Sequence, residues 1–265
     1  MSIPITWVDA FSDVAFGGNP AAVCLLREPL DEGRMQSIAF ELGIAETAYL
    51  TPTEDPTTFG LRWFSPAVEI DLCGHATLAS AHALRAGGTV DGMTPLTFHT
   101  RSGPLRAAFA GDRIELDFPA DPMTPGPVPA ALQGQWPDAL VASGQTGFFT
   151  FVVLSSAEAV RAYAPDLPAI ASTGAKALLL TAAAAPASGA DYVLRVFGPN
   201  VGIDEDPATG SAQCSAGPYW AGELGLHSLV AHQLSRRGAT LYVRPEGERV
   251  RIAGQATTVL TGELC

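Results

Sequence analysis

Two segments of the chain place reactive side chains directly before helices of small residues. Each helix begins near a glycine, which allows close approach of the backbone, and its first turn exposes unpaired N–H groups at the positive end of the dipole. Two such helix starts facing each other across a cleft would bind a carboxylate or a phosphate. The residues at the two tips are Cys73, Gly74 and His75 in one segment and Glu205, Asp206, Pro207, Thr209, Gly210 and Ser211 in the other. A structural loop with a capped helix would show the same pattern, so both interpretations stay open.

Two carboxylates are further candidates for acid–base chemistry. Glu46 opens a predicted strand shortly after Gly43, where it either lines a cleft or lies at a surface edge. Asp206 precedes Pro207, which favours an extended backbone at Asp206 and turns its carboxylate away from the helix that follows. The acidic run 204–206 could equally be a solvated turn.

Other chemistries find little support in the sequence. Cys73 with His75, or His75 with His82, could be a pair of metal ligands, but no third or fourth ligand stands at a plausible spacing, so we predict no metal site. Residues 17–20 (GGNP) do not match G-x-G-x-x-G and precede a strand, which argues against a dinucleotide site. Lys176 is the chain's one lysine, and we interpret it as an ordinary solvated residue rather than a Schiff-base former.

The order of predicted strands and helices positions these residues at the ends of elements. A helix begins after the capping residue Asp31 and ends at Gly43, with its apolar positions spaced at the helical period. The predicted strands cover residues 3–11, 21–26, 46–50, 59–64, 96–98, 105–109, 114–118, 140–142, 150–154, 177–181 and 191–197, followed by two or three terminal strands. Further helices are predicted over residues 75–85, near 129–132, between residues 154 and 177, and after residue 210.

An internal repeat divides the chain into two halves. Residues 62–71 align without a gap on residues 195–204 with six identities, and after three extra residues in the second copy 74–76 falls on 210–212. Repetition of a whole strand–loop–helix unit indicates a duplicated domain. Residues 119–127 contain four prolines, so we expect neither helix nor sheet to run through them. We therefore predict an N-terminal half over 1–118 and a C-terminal half over 119–265, with the last strand free to pack back on the N-terminal half.

Composition restricts the classes of partner. The 265 residues are 47% hydrophobic and 16% charged, which is typical of a globular protein, and the net charge of −12 disfavours nucleic acids and anionic membrane surfaces. There is no apolar run long enough to cross a membrane, no recognisable secretory signal and no disulfide-type cysteine spacing. We expect a reduced, cytoplasmic protein.

Five motifs, in order and over nearly the whole chain, resemble those of the PhzF-like family of phenazine-biosynthesis proteins. They are residues 8–11 (VDAF), 18–23 (GNPAAV), 46–48 (ETA), 73–79 (CGHATLA) and 205–212 (EDPATGSA). The resemblance implies an α+β, diaminopimelate-epimerase-like fold of two pseudo-symmetric halves, each a mostly antiparallel sheet wrapped around a central helix. It also implies an active site between the halves, a homodimer and no cofactor.

The same resemblance assigns roles to individual residues. It places the family's catalytic residues on Glu46, His75, Asp206 and Ser211, and we expect Asn19, Cys73, Gly74, Thr209 and Gly210 to contact the substrate. In the family's best-known member a glutamate removes a proton from a ring carbon and returns it elsewhere on the ring. One carboxylate can serve as base and then as acid, while the helix starts hold the substrate's carboxylate.

We therefore predict a cofactor-independent isomerase that shifts a proton on a small, carboxylate-bearing substrate resembling a cyclic amino or hydroxy acid. Two alternatives remain. The chain could be a non-catalytic protein that binds a small molecule or a partner on the same fold. It could also be a cysteine-based epimerase or racemase using Cys73, although the second thiol, Cys214, lies four residues beyond Gly210.

Overall fold

Two units of similar size make up the structure. It is a computed structural model that describes residues 2–265. The contacts group Met1–Asp117 with Ala253–Cys265 as unit 1 and Phe118–Ile252 as unit 2. The C-terminal segment belongs to unit 1 because its strand pairs antiparallel with the first strand of the chain, from Ile3↔Leu264 to Ala10↔Ala256.

Unit 1 is a mixed sheet packed on one central helix. Its strands are β1 (Ile3–Ala10), β2 (Asn19–Leu25), β3 (Glu46–Pro52), β4 (Thr58–Phe64), β5 (Glu69–Ile70), β6 (Leu96–Thr100), β7 (Gly103–Ala110), β8 (Arg113–Pro119) and β18 (Ala256–Leu264). Its helices are α1 (Glu32–Leu42) and α2 (Gly74–Ala86). The strand order is β18-β1-β2-β3-β4-β6-β7-β8, in which only β2–β3 and β4–β6 are parallel.

Helix α2 is the centre of unit 1. It packs against β1, β2, β3 and β18, and eight of its thirteen residues are buried. A helix buried on most of its circumference must be apolar or small nearly all round, which explains the run of alanines between His75 and Arg85. The first residues of α2 are thereby held against the sheet.

Unit 2 repeats this arrangement. Its strands are β9 (Thr124–Pro125), β10 (Leu140–Gln145), β11 (Phe149–Leu154), β12 (Ala177–Ala183), β13 (Tyr192–Gly198), β14 (Ile203–Asp206), β15 (Leu229–Gln233), β16 (Ala239–Glu246) and β17 (Arg249–Gly254). Its helices are α3 (Ala157–Ala162), α4 (Leu167–Ser172) and α5 (Gly210–Leu224), with short 3-10 turns at Ala130–Leu132 and Pro199–Val201. Helix α5 packs against β12 and β16.

The strand directions confirm the internal duplication. In unit 1 the pairs β1–β2, β2–β3, β3–β4, β4–β6 and β6–β7 are antiparallel, parallel, antiparallel, parallel and antiparallel. In unit 2 the pairs β10–β11, β11–β12, β12–β13, β13–β15 and β15–β16 follow the same sequence of directions. The prediction of two pseudo-symmetric, mostly antiparallel halves is confirmed.

The structure corrects the position of the three extra residues in the second copy. Trp63 pairs with Ile70 in unit 1, whereas Val196, the repeat equivalent of Trp63, pairs with Asp206. The extra residues therefore lie between Gly198 and Glu205, partly in a register shift within β14, and the gapless alignment to residue 204 is wrong over its last residues. Ile70 corresponds to Asp206, a pairing that the one-dimensional alignment could not find.

An equivalent pair of ion pairs supports this corrected register. Arg62 Nε lies 2.6 Å from Glu69 Oε1, and Arg195 Nε lies 2.7 Å from Glu205 Oε1. Each arginine also lies over the phenylalanine two residues beyond it, Phe64 or Phe197. The repeat has kept this strand-to-strand contact in both units.

Some predicted elements needed correction. β9 forms within the proline-rich segment, because a two-residue edge strand tolerates proline. The acidic run before Pro207 is strand β14 rather than a turn, the single helix expected between residues 154 and 177 is two short helices, and four terminal strands replace the two or three expected. The helix from the Asp31 cap to Gly43 is confirmed, with the Asp31 carboxylate accepting from Arg34 N–H and Gly43 at φ 61°.

Within residues 2–265, no helix combines the length and apolar character needed to cross a membrane.

Candidate functional site

Four of the predicted site residues form a buried cluster in unit 1. Glu46 is the first residue of β3, His75 lies in the first turn of α2, Cys73 is its N-cap and Asn19 is the first residue of β2. The residues are between 0% and 7% exposed. Strands β2 and β3 run parallel with Ala21 opposite Glu46, so both begin at the same edge of the sheet. The parallel pairing therefore places Asn19 and Glu46 together.

The His75 ring is contacted on both nitrogens. Asn19 Nδ2 lies 3.2 Å from Nδ1 and Cys73 Sγ 3.5 Å from the same atom, while Nε2 lies 2.9 Å from Glu46 Oε2. An amide N–H that donates to Nδ1 favours the tautomer with its proton on Nε2, the side of Glu46. The Nε2–H does not point at Glu46 Oε2, which accepts no aligned hydrogen bond from the described residues. The contact is therefore a close electrostatic one.

Burial and charge act in opposite directions on this cluster. Burial lowers the pKa of His75, but the negative charge that Cys73 and Glu46 can carry raises it by more, and the resulting pKa lies well above its ordinary value. Burial raises the pKa of the Cys73 thiol, against the attraction of His75. The cluster thus favours a charged His75 while Glu46 is a carboxylate. In that form both ring nitrogens carry hydrogen, so Asn19 presents its amide oxygen to Nδ1, whereas its amide nitrogen donates there only to the neutral ring.

A second set of predicted residues lies in unit 2, at the start of α5. Thr209 is the N-cap of α5 and Asp206 ends β14. The Thr209 hydroxyl donates to Asp206 Oδ2 at 2.6 Å, which fixes the direction of that carboxylate. Gly210 and Ser211 follow in the first turn of the helix, with Gly210 buried and Ser211 exposed.

Gln233, the last residue of β15, is a functional candidate that the sequence did not reveal. Its Oε1 accepts from Thr209 N–H at 2.8 Å, and its Nε2 donates to the Asp206 carbonyl at 2.6 Å and to Thr209 Oγ1 at 3.0 Å. Gln233 is 1% exposed. Its one sequence signal is a polar residue that follows His232 at the end of a strand with an apolar start, which points to no particular partner.

Cys73 and Thr209 occupy equivalent positions, because each is the extended N-cap directly before a central helix. Cys214 lies inside α5 and is 6% exposed, and burial raises the pKa of its thiol to about 12. A thiol at the tip of each half, as the cysteine-based alternative requires, is therefore not present: the second tip carries threonine.

Comparisons with known proteins agree with one another over the full length of the chain. The family described as "Phenazine biosynthesis-like protein", PhzC-PhzF, matches residues 8–262. An uncharacterized isomerase of Halalkalibacterium halodurans is 40% identical over 100% of this chain and 99% of its own. The phenazine biosynthesis-like domain-containing protein 2 of Mus musculus is 43% identical with the same coverage.

Solved structures show the same fold. The PhzF-family protein of Enterococcus faecalis superposes with a TM-score of 0.94 at 36% identity, and each chain is covered completely. A hydroxyproline epimerase of Agrobacterium vitis superposes with a TM-score of 0.63 at 12% identity, over 99% of this chain and 92% of that one, which shows the fold alone. The predicted epimerase-like fold and the predicted family are confirmed, and the chain belongs to the PhzC-PhzF family of phenazine biosynthesis-like proteins.

Proposed function

We propose that this protein is an isomerase that moves a proton between two atoms of a small carboxylate-bearing substrate, with Glu46 as the acid and base. The single observation that carries the proposal is the buried carboxylate of Glu46, 2.9 Å from His75 Nε2 at the first turn of α2. A carboxylate held in a site with little water, beside a group that can be positively charged, is equipped to accept a proton and to release it again.

The proposed reaction is balanced within the substrate, because no proton or electron is exchanged with a second molecule. Glu46 removes a proton from a carbon of the substrate, the electron pair left behind moves into the neighbouring unsaturated system, and the same proton returns from Glu46 to another atom. His75, charged while Glu46 is a carboxylate, loses its counter-ion when Glu46 takes the proton. It then stabilises the negative charge that develops on the substrate.

The first turns of α2 and α5 supply the proposed binding groups. The backbone N–H groups at the start of a helix attract a carboxylate, and Gly74 and Gly210 begin the two helices. In unit 2 the fixed carboxylate of Asp206 and the hydroxyl of Ser211 would position polar substituents of the substrate, as the family resemblance implies. These roles are part of the proposal.

The names of relatives support an isomerase-type function. The Halalkalibacterium halodurans relative and two relatives of Pseudomonas aeruginosa, 43% and 41% identical to this chain, are named as isomerases. A hydroxyproline epimerase with bound trans-4-hydroxy-L-proline, a small cyclic amino acid, and a probable proline racemase share the fold at low identity. We propose the same substrate class here: a small cyclic amino or hydroxy acid.

The test is exchange of substrate hydrogen for deuterium in heavy water, followed by mass spectrometry over a panel of cyclic amino and hydroxy acids. We expect exchange with the wild-type protein and a loss of roughly 100-fold or more in Glu46→Gln. The control is Glu41→Gln, at an exposed position on α1, which should leave the rate unchanged.

Two results would overturn the proposal. If the wild type exchanges no compound of the panel, the non-catalytic binding protein becomes the better description. If Glu46→Gln keeps the full rate, another group is the base. Asp206→Asn, with Asp204→Asn as its exposed neighbour, tests in the same way whether unit 2 takes part.

A homodimer and a cytoplasmic location also stay proposals that the family resemblance and the composition support. The mass of the particle in solution, measured by light scattering on a size-exclusion column, tests the first.

A further inference from the structure

We propose that Glu46, Cys73 and His75 form a binding site for a borderline-soft divalent cation of the Zn²⁺ class, which competes with proton transfer by Glu46. The three donor atoms lie within 4.8 Å of one another and all three residues are buried. The sequence offered the pair Cys73 and His75 but no third ligand. The fold supplies that ligand from β3, which is remote in sequence.

The three donor atoms lie close enough for side-chain rotation to bring them onto one tetrahedral cation. Bonds of about 2.3 Å from Zn²⁺ to sulfur and about 2.1 Å to nitrogen or oxygen place the ligand atoms about 3.4 to 3.6 Å apart. Here Cys73 Sγ lies 4.0 Å from His75 Nε2, and His75 Nε2 lies 2.9 Å from Glu46 Oε2. The nitrogen–oxygen edge must lengthen by about half an ångström. Cys73 Sγ, which lies 3.5 Å from Nδ1, must turn about its Cα–Cβ bond towards the Nε2 side for the three atoms to share one cation.

The donor set selects for one class of cation. Thiolate and imidazole are ligands that Zn²⁺ prefers, whereas Mg²⁺ and Ca²⁺ require more ligands and oxygen donors. Glu46 Oε2 is buried and its 2.9 Å contact with His75 Nε2 is not an aligned hydrogen bond, so a cation would replace the His75 charge beside this buried carboxylate. The charges of a thiolate, a carboxylate and Zn²⁺ sum to zero, which suits a buried site. On binding, the Cys73 thiol and the charged His75 ring each give up one proton to solvent, while Glu46 binds as the carboxylate.

Asn19 can hold the ring in the orientation that a metal requires. When Nε2 binds a cation, Nδ1 carries the proton and needs an acceptor. An amide can present either its nitrogen or its oxygen, and Asn19 already lies 3.2 Å from Nδ1. Such a partner on the second ring nitrogen is usual for metal-bound histidine.

Three protein ligands leave a fourth position for water or a substrate carboxylate. The cation would hold Glu46 and His75 away from proton transfer, so its expected effect on an isomerase is inhibition. The binding itself does not depend on the proposed reaction and can be measured without a substrate.

The experiment uses the full-length, chelator-treated protein and Co²⁺ alone, because four-coordinate Co²⁺ with a thiolate ligand has a distinctive absorption spectrum. Cys265 is exposed, so every variant carries Cys265→Ser to remove a competing thiol. We expect one Co²⁺ per chain, a thiolate-to-cobalt charge-transfer band, and displacement of Co²⁺ by one equivalent of Zn²⁺.

The variants locate the site. Cys73→Ser should abolish the charge-transfer band and weaken binding by at least roughly 10- to 100-fold, since loss of a ligand costs no less than loss of an outer partner. The matched control Cys214→Ser removes a thiol that is buried to the same degree and should leave the spectrum unchanged. If Cys73→Ser does not fold, Glu46→Gln must weaken Co²⁺ binding to a similar extent.

The proposal fails if the wild type shows no charge-transfer band, or if the band survives in Cys73→Ser or disappears in Cys214→Ser. These outcomes are separate from those of the deuterium experiment. A protein that binds Co²⁺ but exchanges no hydrogen would refute only the isomerase. One that exchanges hydrogen but gives no band would refute only the metal site.

Discussion

Neighbouring side chains decide how each histidine of α2 can be used. His75, in the first turn, has a carboxylate and an amide beside its two nitrogens and is a candidate for acid–base chemistry. His82, two turns later on the same helix, has the Thr258 hydroxyl 2.9 Å from Nε2. Its Nδ1 is buried with no hydrogen-bond partner among the described residues. The same residue type is thus a functional candidate at one position and a structural group at the other.

His82 should make the protein less stable in mild acid. Burial, assisted by the positive charge of Arg85, lowers the pKa of His82 to about 4, below its value in the unfolded chain of about 6.5. Between these pH values the unfolded state binds a proton that the folded state does not. Stability is therefore fully present above pH 6.5 and is lost as the pH falls towards 4. Allowing for screening at a half-buried ring, the loss is on the order of 1–2 kcal/mol.

The measurement is the free energy of unfolding by urea between pH 7 and pH 4. His82→Gln should lose about 1–2 kcal/mol less than the wild type over this range, and His227→Gln, at an exposed position, should follow the wild type. Parallel curves for His82→Gln and the wild type would show that His82 contributes nothing to the acid sensitivity.

At the scale of the elements, the start of α5 depends on one side chain of β15. Gln233→Leu keeps the approximate volume but removes the hydrogen bonds that the Gln233 side chain makes with Thr209 N–H and the Asp206 carbonyl. Each such group costs about 1–3 kcal/mol, so we expect a loss of roughly 2–4 kcal/mol in the free energy of unfolding. Gln133→Leu, an exposed substitution in the same unit, should change it by less than about 0.5 kcal/mol.

Deuterium exchange distinguishes a role of Gln233 in positioning Asp206 from simple destabilisation of the fold. If Gln233 positions Asp206, the exchange rate should fall in Gln233→Leu at a temperature where the protein is fully folded. A normal rate in a folded but destabilised variant would show that Gln233 matters for stability alone.

Two glycines of α5 provide a test of how closely this helix packs on the sheet. A Cβ added at Gly217 would meet Val243 Cγ1 at 2.6 Å, while at Gly222, in the same helix, it would meet nothing within 4 Å. Gly217→Ala should therefore destabilise the protein by about 1–3 kcal/mol through overpacking, although alanine is the better helix former. Gly222→Ala should stabilise it by about 0.5–1 kcal/mol. Equal thermal shifts for the two variants would contradict the packing argument.

Elements with local signals were predictable from the sequence, and contacts between distant elements were not. Helix α1 was predicted from its caps Asp31 and Gly43, and helix α2 from its small residues. Strand β5 has two residues and β14 four, which is too short for a period to be recognised. The meeting of Glu46 with Cys73, and of Gln233 with Thr209, follows from parallel strand pairing and helix packing, which no spacing rule contains.

At the scale of the whole molecule, the charge composition makes a simple chemical test available. Lys176 is the only lysine of 265 residues. It is exposed, and its Nζ lies 5.1 Å from the ring of Phe148. An amine-specific acylating reagent should therefore modify Lys176 and the α-amino group, and leave deuterium exchange unchanged. Lys176→Gln, which cannot react, is the control, and loss of exchange on acylation of the wild type alone would assign Lys176 a role.

The duplicated architecture also shows where the two halves have diverged. Positions 70 and 206 are equivalent by strand pairing, and positions 73 and 209 by their place before the central helix. At these two pairs of positions unit 1 has isoleucine and cysteine, whereas unit 2 has aspartate and threonine. Once an ancestral segment had been duplicated within one chain, each position could change independently in the two copies. The differences between equivalent positions therefore show where the two copies have diverged. Substituting each residue by its equivalent from the other unit, one at a time, would show what that difference contributes.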